Sequence, residues 1–425
     1  MIKYNRFTLD NGLRVIHNHD SSTAMVCVNI LYNVGSRDED ESLTGLAHLF
    51  EHLMFGGSLH ISDFDAEMER AGGMNNAWTS DDFTNFYDIA PAVNLDTLLW
   101  LESDRMLSLA FSPESLEVQR SVVVEEFKQT HLNRPYGDLM HHLRRLLYQT
   151  HPYRYPTIGR EPGHIEKVTM DDVRSFFFNH YGPNNAVLAI SGNVTCEEVR
   201  EKVSRWFGDI PGRDIKPRTY AAEEDPAGPR SLTVRGDVPR AMVVVAFLMP
   251  AYGEEGYVEC DLITDILSSG RAARYYRRLT MGDPLIAEAD ASISGSEERG
   301  FLMLKASLND DSDEAMQTAR DRLIEEAVKL HFEVSPAHPD GVTPDEVSRV
   351  VNCYLTQTEF RSQSFTGRAQ ALALAEMHGE DINSIPATYE AVTAADIAAA
   401  ARRVIDPQKA CILFYAPSRQ PAGGQ

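Results

Sequence analysis

His48, Glu51 and His52 stand close together in the run LTGLAHLFEHLMFGG. If that run is helical, the two histidines lie one turn apart on a shared face. Two imidazoles so placed can each direct a ring nitrogen at one zinc ion, at about 2.0–2.1 Å. A catalytic zinc also needs a third protein ligand and an open position for water. The ion lowers the pKa of that water to about 7, and a nearby carboxylate can take the proton. Glu51 lies beside the histidines, within reach of such a water. The order H-x-x-E-H reverses the commoner H-E-x-x-H and serves the same chemistry from the other flank of the first histidine. The competing reading is an exposed helix that carries two histidines.

The elements that would position these groups are legible in outline. Leu46, Leu49, Phe50 and Leu53 fall at i, i+3, i+4 and i+7, giving a helix with one apolar face. Thr44 can cap its start, and Gly56-Gly57 can stop it. The histidines fall on a different face. A third ligand must come from another segment, and FSPESLEVQRSVVVEEFKQTHLNRP supplies a second helix. Ser112 and Pro113 suit its cap and first position. The adjacent Glu125 and Glu126 point in different directions, so one of them can face a metal; taken alone, the pair reads as a solvated face. His141-His142 diverge on a Leu- and Arg-rich helix and read as surface or packing residues. His151, in HPYRYPTIG, reads as part of a rigid turn. Trp78 is open to two readings, a subsite wall or a core residue. The run at 268–280 is a local basic-aromatic cluster in an acidic chain, with substrate contact as one reading.

The totals describe a globular chain of 425 residues, 43% hydrophobic and 24% charged, too long for one ordinary core. Its apolar runs are strand-sized, and none reaches the roughly 20 residues that span a bilayer. The start MIKYNRFTLDNGLRV lacks an apolar signal region, so a cytoplasmic location is expected. Five scattered cysteines without a CxxC pair point to inert thiols. A net charge of −23 argues against nucleic acid as a partner.

The chain reads as a duplicated unit. PGHIEKVTMDDVRSFFFNHYGPNNAVLAISG from Pro162 and PATYEAVTAADIAAAARRVIDPQKACILFYA from Pro386 align without gaps. Each reads as a helix that starts at a Val-Thr cap and feeds a strand. More faintly, MVCVNILYNVGSRDEDESLTGLAHLFEHLMFGG pairs with AMVVVAFLMPAYGEEGYVECDLITDILSSG, which sets Asp261, Thr264 and Asp265 opposite His48, Glu51 and His52. The expectation is an α+β chain of two similar domains, each a mostly antiparallel sheet with flanking helices. The boundaries are 1–212 for the first domain, 213–230 for a Pro-, Gly- and charge-rich linker, and 231–425 for a second domain without zinc ligands.

These signals in this order resemble a known family. H-x-x-E-H, an Asn-Ala-x-Thr stretch, an apolar helix ending in Glu-Glu, and HPYRYPTIG together resemble the insulinase/pitrilysin family of zinc metallopeptidases. The chain looks like its small bacterial members, which are related to the zinc-motif-bearing subunit of mitochondrial processing peptidase. The likeness runs from FTLDNGLRVIHNHD into the second half. It implies one zinc ion per chain, held by His48, His52 and Glu126, with Glu51 as the general base that activates water. It implies an endopeptidase of short or unfolded peptides, and it makes the run at 268–280 a packed helix of the second domain. It places Asn76 and Ala77 on an edge strand where substrate binds as an added strand, with little demand on its sequence.

Two positions depart from the family pattern. Many members carry a supporting Glu seven residues before the third ligand, where this chain has Gln119, which can hydrogen-bond but carries no charge. Active members also use an Arg and a Tyr from the non-zinc half or from a partner, and RGFLMLKASLND (299–310) has no Arg after its Gly and no Tyr. The expectation is a hetero-oligomer with a zinc-less homologue that supplies the pair, a homodimer remaining open. The competing expectation is a non-proteolytic structural or assembly subunit of the same fold, against which the complete zinc motif speaks.

Overall fold

A computed structural model describes residues 1–216 and 218–418. Pro217, in the expected linker, and residues 419–425, at the end of the expected second domain, lie outside the described residues. The chain folds into two units. The first takes residues 1–128, 155–220 and 357–385, and the second takes 129–154, 221–356 and the chain from 386 onward.

The first unit is built on a six-stranded sheet. Its spatial order is β1 (Asn5–Thr8), β2 (Arg14–His19), β6 (Ala186–Gly192), β3 (Met25–Tyr32), β5 (Thr84–Pro91), β4 (Met74–Thr79). Only β2 and β6 run parallel; every other neighbour pair is antiparallel. β3 and β6 are almost wholly buried because both faces of the sheet are covered, which is why they read as unbroken apolar runs. On one face, Val26, Val28 and Ile30 pack with residues of α1 (Leu46–Leu53), α2 (Leu95–Leu107) and α5 (Met170–His180). On the other, Ile16, Cys27, Leu31, Val187 and Ala189 meet Ala369, Leu372 and Ala373 of α8 (Phe365–His378).

The second unit has a five-stranded sheet, β7 (Arg230–Gly236), β11 (Cys411–Pro417), β8 (Met242–Leu248), β10 (Phe301–Leu308), β9 (Ile286–Ser294). Its order and directions repeat β2-β6-β3-β5-β4, with the first pair parallel and the rest antiparallel. α6 (Tyr257–Ser268) packs on β9, and α7 (Asp313–Val328) packs on β8 and β10. Leu143 and Leu147 of α4 (Leu139–Leu147) close a core with Val244, Ala246 and Leu413. The matched Val-Thr signals are both true caps. Thr169 starts α5 and Thr393 starts α9 (Ala394–Val404), each in a reciprocal box with the Asp three residues on.

The chain passes from the first unit to the second between Tyr220 and Ala221, inside the segment expected to be a linker. Each unit also takes a segment from the far side of that linker, carrying α4 to the second sheet and α8 to the first. Among the described residues, no helix is long and apolar enough to cross a membrane. The five cysteines are free thiols, as the sequence suggested.

Candidate metal centre

α1 does not begin as its sequence suggests. Its N-cap is Gly45, in the left-handed region at φ +91°, and Thr44 points inward instead. The Thr44 hydroxyl accepts from the Arg160 backbone N–H at 2.8 Å and pairs with His164 Nδ1 at 2.9 Å. The first free N–H groups of the helix are met by Glu39, whose two carboxylate oxygens accept from Gly45 and Ala47 at 2.7 Å each. Burial pushes the Glu39 pKa well above the ordinary carboxylate range, against the pull of those two donors. Leu46, Leu49, Phe50 and Leu53 are buried as expected, and α1 ends at Leu53, with Gly57 (φ +102°) turning the chain away.

The left-handed glycine also corrects the correspondence between the copies. Gly256 caps α6 at φ +96°, as Gly45 caps α1. Counting from that shared cap, Glu259, Leu262 and Ile263 stand opposite His48, Glu51 and His52, not Asp261, Thr264 and Asp265. Leu262 and Ile263 are fully buried.

α3 (Pro113–Phe127) starts at Ser112, whose hydroxyl accepts from the Ser115 N–H, with Pro113 in the first turn as expected. Near its end, Glu126 Oε2 lies 3.8 Å from His48 Nε2 and 3.5 Å from His52 Nε2. The three donor atoms all fall within 4.8 Å of one another, and the imidazoles stand edge to face at 86°. Zinc bonds of 2.0–2.1 Å in a tetrahedron set donors about 3.3–3.5 Å apart, so this set needs little movement to close on an ion. The donors also suit the metal, being two imidazoles and one carboxylate. The side chains are 15%, 25% and 39% exposed for His48, His52 and Glu126, so the site opens to solvent on one side. Glu125 points elsewhere, 56% exposed and 3.6 Å from Lys128 Nζ. Gln119 is half-buried on α3, seven residues before Glu126.

Glu51 stands beside this group. Its Oε2 accepts the Thr79 hydroxyl at 2.5 Å. Burial raises the Glu51 pKa, Glu126 adds to the rise, and Thr79 and His52 oppose it. A raised carboxylate is a better proton acceptor than an exposed one. Thr79 closes β4, the outermost strand of the first sheet. Along β4, Met74, Asn76 and Trp78 are exposed, while Asn75, Ala77 and Thr79 alternate to the other face. Asn76 Oδ1 accepts the Ala77 backbone N–H at 2.8 Å. Trp78 is 38% exposed, which excludes the core reading.

The other residues considered have structural partners. The buried His151 donates its backbone N–H to Glu223, and His142 faces Asp138 at 3.0 Å. In the basic-aromatic run, Arg274 binds Glu346 and Arg278 binds Glu326 and Asp340, so those two arginines serve packing. Arg299 precedes Gly300 and pairs with Asp225. Sequence reasoning gave no role to Glu39 or Thr79. Thr79 lay inside the quoted Asn-Ala-x-Thr stretch, but no local pattern ties Glu39 to a helix whose cap, Gly45, lies six residues later.

Residues 14–161 match the family model described as Insulinase (Peptidase family M16), and residues 167–334 match the one described as Peptidase M16 inactive domain. The zinc protease PqqE of Helicobacter pylori is 30% identical over 334 residues, covering 77% of this chain and 75% of that protein. A probable mitochondrial-processing peptidase subunit beta of Arabidopsis thaliana is 27% identical over 267 residues, covering 62% of this chain and 50% of that one. The crystal structure of a protease from Helicobacter pylori matches with a TM-score of 0.88 at 26% identity, over 98% of this chain and 100% of that one. With both halves matched by the family's models and a relative similar along most of its length, the chain belongs to the insulinase family, peptidase family M16.

Proposed function

We propose that the chain is a zinc-dependent endopeptidase of short or unfolded peptides. One observation carries the reading: His48, His52 and Glu126 converge from two helices, and Glu51 is held beside them by Thr79. His48, His52 and Glu126 would hold one zinc ion. When bound there, zinc would polarise a carbonyl and make a water more acidic. The residues of the chain do the rest. Glu51 takes the proton of the attacking water and returns it to the leaving amine. Thr79 fixes one Glu51 oxygen and leaves the other free for that proton. The open edge of β4, at Asn76 and Ala77, pairs with the peptide backbone as an added strand. Main-chain pairing of this kind suits unfolded substrates of varied sequence.

β10 carries neither the Arg nor the Tyr that grips substrate in active members, and Arg299 is engaged with Asp225. The working form in this reading is a hetero-oligomer in which a zinc-less homologue supplies both. The second copy, with Ile263 opposite the ligand His52 and Leu262 opposite the base Glu51, accords with a family description of inactivity for residues 167–334.

The test is cleavage of a mixed unstructured peptide pool by the zinc-loaded chain, with Glu51→Gln as control. Turnover in the parent, lost in a variant that keeps its zinc, supports the reading. Zinc retained without turnover, followed by Glu51-dependent cleavage once a zinc-less homologue is added, supports the hetero-oligomer. A chain that binds no zinc overturns the proposal.

A further inference from the structure

We infer that Glu39 is a positioning residue for the metal site, setting where α1 begins and so where His48, Glu51 and His52 stand. The inference rests on the metal-site reading above. The opening N–H groups of any helix lack partners within it, and the cap of α1 is a glycine with no side chain to offer. Glu39 answers two of them with separate oxygens, and Ala47, the second donor, adjoins His48.

The turn that carries Glu39 is itself fixed. The Ser36 hydroxyl donates to Asp81, Arg37 pairs with Asp82 at 2.9 Å, and the N–H groups of Ser36 and Arg37 donate to the carbonyls of Ser80 and Asp81. Asp38 accepts from Gly35 N–H, Arg218 Nε and the Tyr220 hydroxyl. A Cβ on Gly35 would lie 2.3 Å from the Asp81 carbonyl oxygen, so the turn rests directly on the segment that follows β4. α1 is therefore tied to the edge strand at two points. Glu39 ties its start to residues 80–82, and Thr79 ties Glu51 to the end of β4. The two attachments add to the packing of Leu46, Leu49, Phe50 and Leu53 in fixing the rotation and axial position of this short helix.

The second copy supplies a contrast. In the second copy the stretch between β8 and Gly256 is five residues shorter than that between β3 and Gly45, and the Glu254 carboxylate within it accepts from the Ala251 N–H.

The test has two arms. In the metal-free protein, hydrogen exchange at the amides of 45–52 is compared between the parent, Glu39→Gln and Glu39→Ala. Loss of the cap should speed exchange there by about tenfold in Glu39→Ala, with β3 and β6 unchanged and Glu39→Gln, which keeps one acceptor oxygen, in between. In the second arm, zinc affinity is measured by chelator competition and should weaken about ten- to hundredfold in Glu39→Ala. Thr169→Ala, which removes the cap of α5, serves as the control and should leave zinc affinity unchanged. Unchanged exchange in Glu39→Ala overturns the inference, as does equal weakening in the Thr169 control. If the parent binds no zinc, the metal-site reading fails and the exchange arm still decides what Glu39 does. If Glu39→Ala does not fold, Glu39→Gln decides both arms.

Discussion

At the scale of single residues, the site separates groups that hold a metal from groups that aim a proton acceptor. Thr79 belongs to the second kind, since its hydroxyl touches Glu51 and none of the three convergent donors is its partner. Thr79→Val keeps the shape and removes the donor, so kcat should fall about ten- to hundredfold while KM and zinc content hold. Thr79→Ser should recover most of the loss; equal damage in both variants would mean that the methyl packing matters instead. Glu126 belongs to the first kind. Glu126→Gln should weaken zinc binding by at least about a hundredfold, since a charged ligand is lost, whereas Glu125→Gln, on a solvated side chain, should leave it unchanged. Chelator competition on the two variants decides which carboxylate is the ligand. The sequence alone offered the pair as equals, because adjacency on a helix says only that the two diverge. The choice of Glu126 came from family resemblance, and the orientation of α3 then set Glu126, not Glu125, against the histidines.

At the scale of elements, the periodic parts were legible and the start of α1 was not. The i, i+3, i+4, i+7 pattern located the buried face of α1, and Ser112-Pro113 located the start of α3. A threonine ahead of an apolar run is a fair capping signal, yet Thr44 is drawn inward by His164 and Arg160, which lie over a hundred residues away. The cap then passes to Gly45 because the 156–159 turn presses on it. A Cβ at Gly45 would meet the Ile158 carbonyl oxygen at 2.7 Å and Ile165 Cδ1 at 2.6 Å, in a backbone region that side chains disfavour. Gly45→Ala should therefore cost about 1–3 kcal/mol and shift α1, lowering the denaturation midpoint and the zinc affinity together. A variant with parent-like stability and affinity would show that the turn yields freely. The same glycine explains the misplaced correspondence in the second copy, since polar residues at similar spacing are a weaker anchor than a shared left-handed cap.

At the scale of the whole molecule, the duplication could be read from sequence because the matched segments sit at the same places in the two sheets. The exchange of helices could not, since amphipathic spacing shows that a helix has an apolar face but not which sheet that face covers. A Pro- and Gly-rich stretch marks where the chain crosses and says nothing of segments that cross back. α8 lies far beyond the linker, yet Ala369, Leu372 and Ala373 cover Ile16, Cys27, Leu31, Val187 and Ala189 of the first sheet. A fragment of residues 1–220 would carry every proposed zinc ligand and leave that face bare. Contiguous apolar patches of this kind bind hydrophobic probes and drive association. The fragment should bind an apolar dye strongly, aggregate, and hold zinc more weakly than the full chain. A peptide spanning 357–385, supplied in trans, should restore zinc affinity and reduce dye binding and aggregation in part, because α8 would cover the first sheet while Leu143 and Leu147 of α4 stay bare. A fragment as stable, as monomeric and as zinc-competent as the full chain would show that the first sheet does not depend on α8.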